Sequence, residues 1–208
     1  DEVQATSSGS LCVTQGSRLS LRWDNSGAWL NALSVGYSVQ VLPDCAVQST
    51  LRHRLLHAAR HGLLGAAQEC LDHGVPIDGT NEAGYTPLML AVLGRHVATA
   101  ELLLRRGASI AAHDRRGNRP LHLASLQRAL GVVRLLLDAG AERHARNHDG
   151  MTAAHIAAFT GGAEVVQLLI TGPEGVFARD AHANTPLHLA ASAGHTEVLP
   201  ALLEHGLK

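Results

Sequence analysis

The chain has 208 residues, with 17 Lys and Arg against 18 Asp and Glu and a formal net charge of -1. That balance leaves no overall basic field of the kind non-specific nucleic-acid binding draws on, and a 3% aromatic content is too sparse for a base-stacking platform. No apolar run approaches the roughly 20 residues a membrane span needs.

Residues 1–46 share no periodicity with the rest. DEVQATSSGS is small and polar and reads as a flexible tail, whereas SLCVT, RLSLRW and YSVQVL show the alternation of short half-buried strands. DNSG is a turn signal between Trp23 and Trp29, and LPDC marks the exit toward helices. Trp23, Trp29 and Tyr37 are half of the chain's aromatics. They fit a small β cap on the first helices of the chain, or a docking element for another protein, since Trp and Tyr are favoured interface anchors. No targeting peptide can be read after Asp1. Cys12, Cys45 and Cys70 have no CxxC spacing and carry no zinc or redox signature. Cys12 and Cys45 can pair only in an oxidising compartment, and an intracellular setting is expected over a secreted one.

From residue 47 on, the chain repeats. Aligned on Thr-Pro, units start at His53, Thr86, Arg119, Thr152 and Thr185, each 33 residues from the last with no insertion. The third position reads Leu55, Leu88, Leu121, Ala154, Leu187, and the sixth is always alanine: Ala58, Ala91, Ala124, Ala157, Ala190. An unbroken alanine column means two backbones approach too closely for a larger side chain. The eighteenth position is Cys70, Leu103, Leu136, Leu169, Leu202, so Cys70 is a small core residue, and the nineteenth is Leu71, Leu104, Leu137, Ile170, Leu203. Both columns are expected to pack repeat against repeat.

In TPLH, Thr caps the helix, Pro at the first helical position gives up an N–H that had no partner, and His reaches back to the cap. The first helix ends near Gly62 or Gly194 in two units. A second run such as GVVRLLLDAG closes on Gly74, Gly107, Gly140 or Gly206. Polar stretches such as HDRRGN come next, with Gly84, Gly117 and Gly150 suited to the positive φ of a tight turn. Each unit is therefore helix, turn, helix and hairpin-like finger.

These residues resemble the ankyrin repeat family over about residues 50–208, on the 33-residue spacing, TPLHLAA, the VVxLLL-type second helix and the Gly-Ala exit. The resemblance implies a mainly α solenoid, five repeats long, behind a small N-terminal segment of β or irregular type. Departures are His53-Arg54 for Thr-Pro, Met89 for His, Arg119 for Thr and Ala153 for Pro. Pro173 stands where Gly is expected and predicts that the fourth unit's second helix ends early, at Gly172. Ala183 in the glycine position predicts a distorted finger.

Candidate chemistry is thin. Fourteen histidines invite a metal site, yet His122, His155 and His188 share one position and read as helix-start hydrogen-bonding groups. His53, His57 and His61 are spaced to line one helical face, but His57 falls at a position expected to be buried and no carboxylate or cysteine accompanies them. There is no GxSxG, P-loop or GxGxxG, and Glu101, Glu164 and Glu197 are scattered along second helices. A catalytic residue, cofactor or metal is not expected, and a solenoid offers a groove in place of a closed pocket.

What remains is surface. Members of the resembled family bind proteins through fingers and inner helices, which selects Tyr85; Arg115, Arg116, Asn118 and Leu126; Arg146, His148, Met151 and Phe159; and His182 and Asn184. An apolar centre of Leu126, Met151 and Phe159 with an Arg rim suits a protein partner better than nucleic acid. The reading is a non-catalytic interaction scaffold. Its rivals are a permanent subunit of a larger assembly, a membrane complex included, and a regulator masking a transcription factor. The last helix, within TEVLPALLEHGLK, has more apolar residues than can turn inward, so its face is expected to meet further residues or another subunit.

Overall fold

The computed structural model describes residues 44–206. The expected strands, Cys12, Trp23, Trp29 and Tyr37 lie outside the described residues, as does the Cys45 side chain. Residues 52–208 form one compact unit and residues 1–51 cluster separately. No helix of the described residues is long and apolar enough to cross a membrane, and no strand occurs among them.

The first helix, α1 (Asp44–His61), begins well before His53. Without Thr-Pro at His53-Arg54 nothing sets a start there, and DCAVQSTLRHRLL contains no residue that breaks a helix. A tight turn leads to α2 (Leu64–Asp72). The next three units supply α3 (Pro87–Leu93) and α4 (Val97–Arg105), α5 (Pro120–Leu126) and α6 (Leu130–Asp138), then α7 (Ala153–Phe159) and α8 (Ala163–Leu169). A short α9 (Pro173–Phe177) intervenes before α10 (Pro186–Ala193), a 3-10 turn at Thr196–Val198 and α11 (Leu199–Gly206). Pro200 lacks the N–H that a regular second helix would use there, and the 3-10 turn precedes it.

Thr86, Arg119, Thr152 and Thr185 hold extended backbone one residue before each inner helix. Inner helices α3, α5, α7 and α10 stack side by side, and α2, α4, α6 and α8 form a second, outer layer. The alanine column is fully buried between inner helices, and Cys70, Leu103, Leu136, Leu169 and Leu202 are buried beneath the outer ones. The nineteenth column behaves differently from expectation. Ile170 is buried, Leu71, Leu104 and Leu137 are only half-buried, and Leu203 is 48% exposed. One helical step carries this column off the packed face.

Two more expectations need correction. The fourth unit's second helix ends at Leu169, before Gly172; Ile170 is already extended, and so is Gly172, the residue before the proline. Pro173 then opens α9, where its missing N–H has no use. The finger at Ala183 is also regular: Ala183 takes φ 63, beside 83, 76 and 71 at Gly84, Gly117 and Gly150. Its turn bond, Ala183 N–H to Asp180 carbonyl, is 3.1 Å.

The helix-to-helix turn has a positive φ at one position in all five units: Gly62, Arg95, Arg128, Gly161 and Gly194. Two of the five are therefore arginines in a strained backbone state. Of the expected helix-exit glycines, Gly74, Gly107 and Gly140 are left-handed, and Gly206 instead lies within α11.

Candidate functional site: fingers and inner helices

Each finger is organised by an Asn or Asp at one position, Asn81, Asp114, Asn147 and Asp180. Its Oδ1 accepts the backbone N–H groups two and four residues on, at 2.8–3.1 Å. One side chain thus satisfies two turn donors that the finger could not otherwise pair. Burial by itself would raise the Asp180 carboxyl. The N–H groups of Asn184 and His182, the Asn184 side-chain amide and nearby His155 outweigh it and hold the group below its ordinary value.

The motif histidines do more than cap. In α5, the Arg119 N–H donates to His122 Nδ1 at 3.1 Å, and His122 Nε2–H donates to the Met151 carbonyl at 3.1 Å. In α7, the Thr152 N–H and hydroxyl reach His155 Nδ1 at 3.2 and 2.8 Å, while Nε2–H donates to the Asn184 carbonyl at 3.2 Å. Each imidazole closes its own helix start and ties the following finger. Burial pushes both His122 and His155 below the ordinary histidine value, against the opposing carbonyl bonds. His188 repeats the first half of the arrangement, with Thr185 Oγ1 at 2.7 Å, and is exposed.

Finger meets finger through main chain. The His148 N–H donates to the Arg116 carbonyl and the Ala181 N–H to the Asp149 carbonyl, both at 3.0 Å. A Cβ on Gly117 would stand 2.9 Å from His148 N, and one on Gly150 2.8 Å from Ala181 N, so glycine is required there by space as well as by φ. The Asn147 side-chain amide adds a bond of 2.9 Å to Asn118 Oδ1.

The predicted contact residues divide. Arg115, Arg116, Arg146, His148 and His182 are exposed at the fingers, with the His148 ring edge-on to His113 at 6.3 Å. Leu126 and Phe159 are 48% and 54% exposed at the same position of adjacent inner helices. Met151 is half-buried, and Asn118 and Asn184 are engaged within the ladder of fingers. Tyr85 lines a cavity of about 370 Å³ with Arg60, Asn81, Ala83, Leu90, Leu93 and Gly94, so a finger and an inner helix border one hollow. Cys70 is buried with a free thiol that burial pushes up. His57 is exposed, contrary to expectation, its ring 4.5 Å from that of His61. Among the described residues no three His, Cys, Asp or Glu side chains gather as metal ligands would.

The Asn/Asp column and the five positive-φ positions escaped the sequence reading. The first was visible as another 33-residue column. The second was hidden because Arg95 and Arg128 do not advertise a left-handed backbone.

A family model described as ankyrin repeats (3 copies) matches residues 55–147 and 121–208. A comparison with curated proteins finds no match.

Proposed function

The chain belongs to the ankyrin repeat family, and from that premise we propose that it acts without catalysis, holding a partner protein against its fingers and inner helices. Ankyrin repeats generally mediate protein–protein interactions and the family is typically non-catalytic. The observation that carries the reading here is the pair Leu126 and Phe159. The other large apolar side chains of α3, α5 and α7 are buried or half-buried, yet these two are exposed at one position of adjacent inner helices. Desolvating such a pair favours association, and a scaffold fixed by inter-finger bonds loses little freedom on binding.

The test is capture from the native source by the wild-type chain and by a Leu126→Ser/Phe159→Ser variant, read by mass spectrometry. Both positions are exposed, so the variant's stability should stay within about 0.5 kcal/mol of wild type. A partner retained equally by both would overturn the reading of fingers and inner helices as the contact surface. A second reading, a permanent subunit, is supported by a different observation: Leu187 is half-exposed and Leu203 exposed on the last unit, where Leu55, Leu88 and Leu121 are buried in the earlier ones. If Leu203→Lys released a co-purifying protein that the Leu126/Phe159 variant kept, that reading would be preferred.

A further inference from the structure

On the helices and their flanks, Arg54, Arg105, Arg106 and Arg119 each have a carboxylate, Glu69, Glu101, Asp72 and Glu142, at 2.6–2.8 Å, while the exposed Arg52, Arg60, Arg95, Arg128 and Arg134 have none among the described residues. Arg115, Arg116, Arg146 and Arg179, on three successive fingers, are exposed and have no ion-pair partner among the described residues. The fingers do contain carboxylates, but those of Asp114 and Asp180 are turned inward onto backbone N–H groups. Only Glu82 and Asp149 stand exposed on the fingers. The outward-facing charged side chains of this rim are thus four arginines against Glu82 and Asp149.

Main-chain bonds hold the fingers of Arg116 and His148 in contact, and each leads into an inner helix that ends in the exposed Leu126 or Phe159. One repeat earlier, the cavity between finger and inner helix has Tyr85, Leu90 and Leu93 in its wall together with Arg60. Arginine is the side chain best matched to a carboxylate, through paired N–H groups, and unpaired arginines around an apolar floor favour a ligand bearing both features.

We propose that the surface of fingers and inner helices takes an acidic peptide segment of a partner protein, its carboxylates on the arginines of the fingers and an apolar side chain in the cavity beside Tyr85. The inference rests on the protein-binding reading above and specifies the chemistry of what is bound. A nucleic acid fits less well. The floor offers Leu126 and a single exposed ring, Phe159, where single strands need successive aromatic platforms, and Asp149 sits among the arginines.

The experiment is selection of a random displayed peptide library on the full chain, followed by affinity measurement of synthetic winners. Enriched sequences should be net negative and contain Leu, Phe or Trp, and should weaken markedly from low to high salt. Arg115→Glu/Arg116→Glu should weaken them about tenfold or more, with an unchanged thermal melt showing that the variant is folded. Winners without net negative charge, or winners indifferent to that charge reversal, would overturn the proposal. So would a single-stranded oligonucleotide that displaced them at equal concentration. Neutral winners lost in Leu126→Ser/Phe159→Ser would leave the protein-binding reading of fingers and inner helices standing while this inference fell; no enrichment at all would count against both.

Discussion

Ala183 is the one residue that holds a finger's left-handed position without being glycine. An L-residue in that state is disfavoured by roughly 1–2 kcal/mol. Glycine gives back part of that advantage through its freer unfolded chain, about 0.5–1 kcal/mol. Ala183→Gly should therefore stabilise the protein by about 0.5–1 kcal/mol, seen as a higher urea midpoint at constant slope. A lower midpoint would mean that the alanine methyl makes a contact outweighing the strain. His155 supplies a second expectation, in pH. Burial holds its folded value below the ordinary one of about 6.5, so in that interval the unfolded chain binds a proton that the fold does not. Stability consequently rises with pH up to about 6.5 and is lost as pH falls through the interval. His155→Gln removes the titrating group, and its melting temperature should fall less steeply than wild type between about pH 7 and pH 5. An unchanged slope would show that other groups carry the acid response.

At the level of helices, the second and third units follow one plan and the fourth departs from it at its exit. Its α8 stops at Leu169, and Arg143 donates to the freed Leu168 carbonyl at 2.6 Å, while α9 replaces the left-handed glycine exit found at Gly74, Gly107 and Gly140. Amide hydrogen exchange should be faster over residues 171–178 than over 138–145, since the junction has fewer regular backbone bonds to open. Equal protection would show that α9, packed on α10 and α11, seals the joint. Helix positions were legible in advance because Thr-Pro, the alanine column and the eighteenth column each repeat and each have a steric cause. Pro173 signalled trouble at the right place, but the short helix that follows the early stop, packed on α10 and α11, had no local signal. The surface residues Arg115, Arg116, Leu126 and Phe159 were legible as exposed variation within a fixed frame. Asn118 and Asn184 looked equally variable, and only coordinates reveal that their amides serve the ladder. The cavity beside Tyr85 depends on Arg60 from the preceding unit, a contact with no trace in local spacing.

Across the whole molecule, the joints are made from interchangeable parts. The bond from His148 N–H to the Arg116 carbonyl recurs one unit later from Ala181 to Asp149, and the tie from His122 to the Met151 carbonyl recurs from His155 to Asn184. A tandem copy of residues 119–151, inserted after Met151, would meet the chain on both sides through bonds of these same two kinds, so growth by duplication demands no newly invented interface. Such a lengthened protein should melt in one transition at a temperature no lower than the parent's. A copy of residues 152–184 carries Pro173 and Ala183 with it and should gain less or melt in two steps, as followed by circular dichroism. The alternative order, with the second copy the more stable, would mean that the joint at α9 is stronger than its irregular backbone suggests. Arrays of this kind can thus change length by whole units, and the 152–184 unit is the one that would transmit a defect each time it was copied.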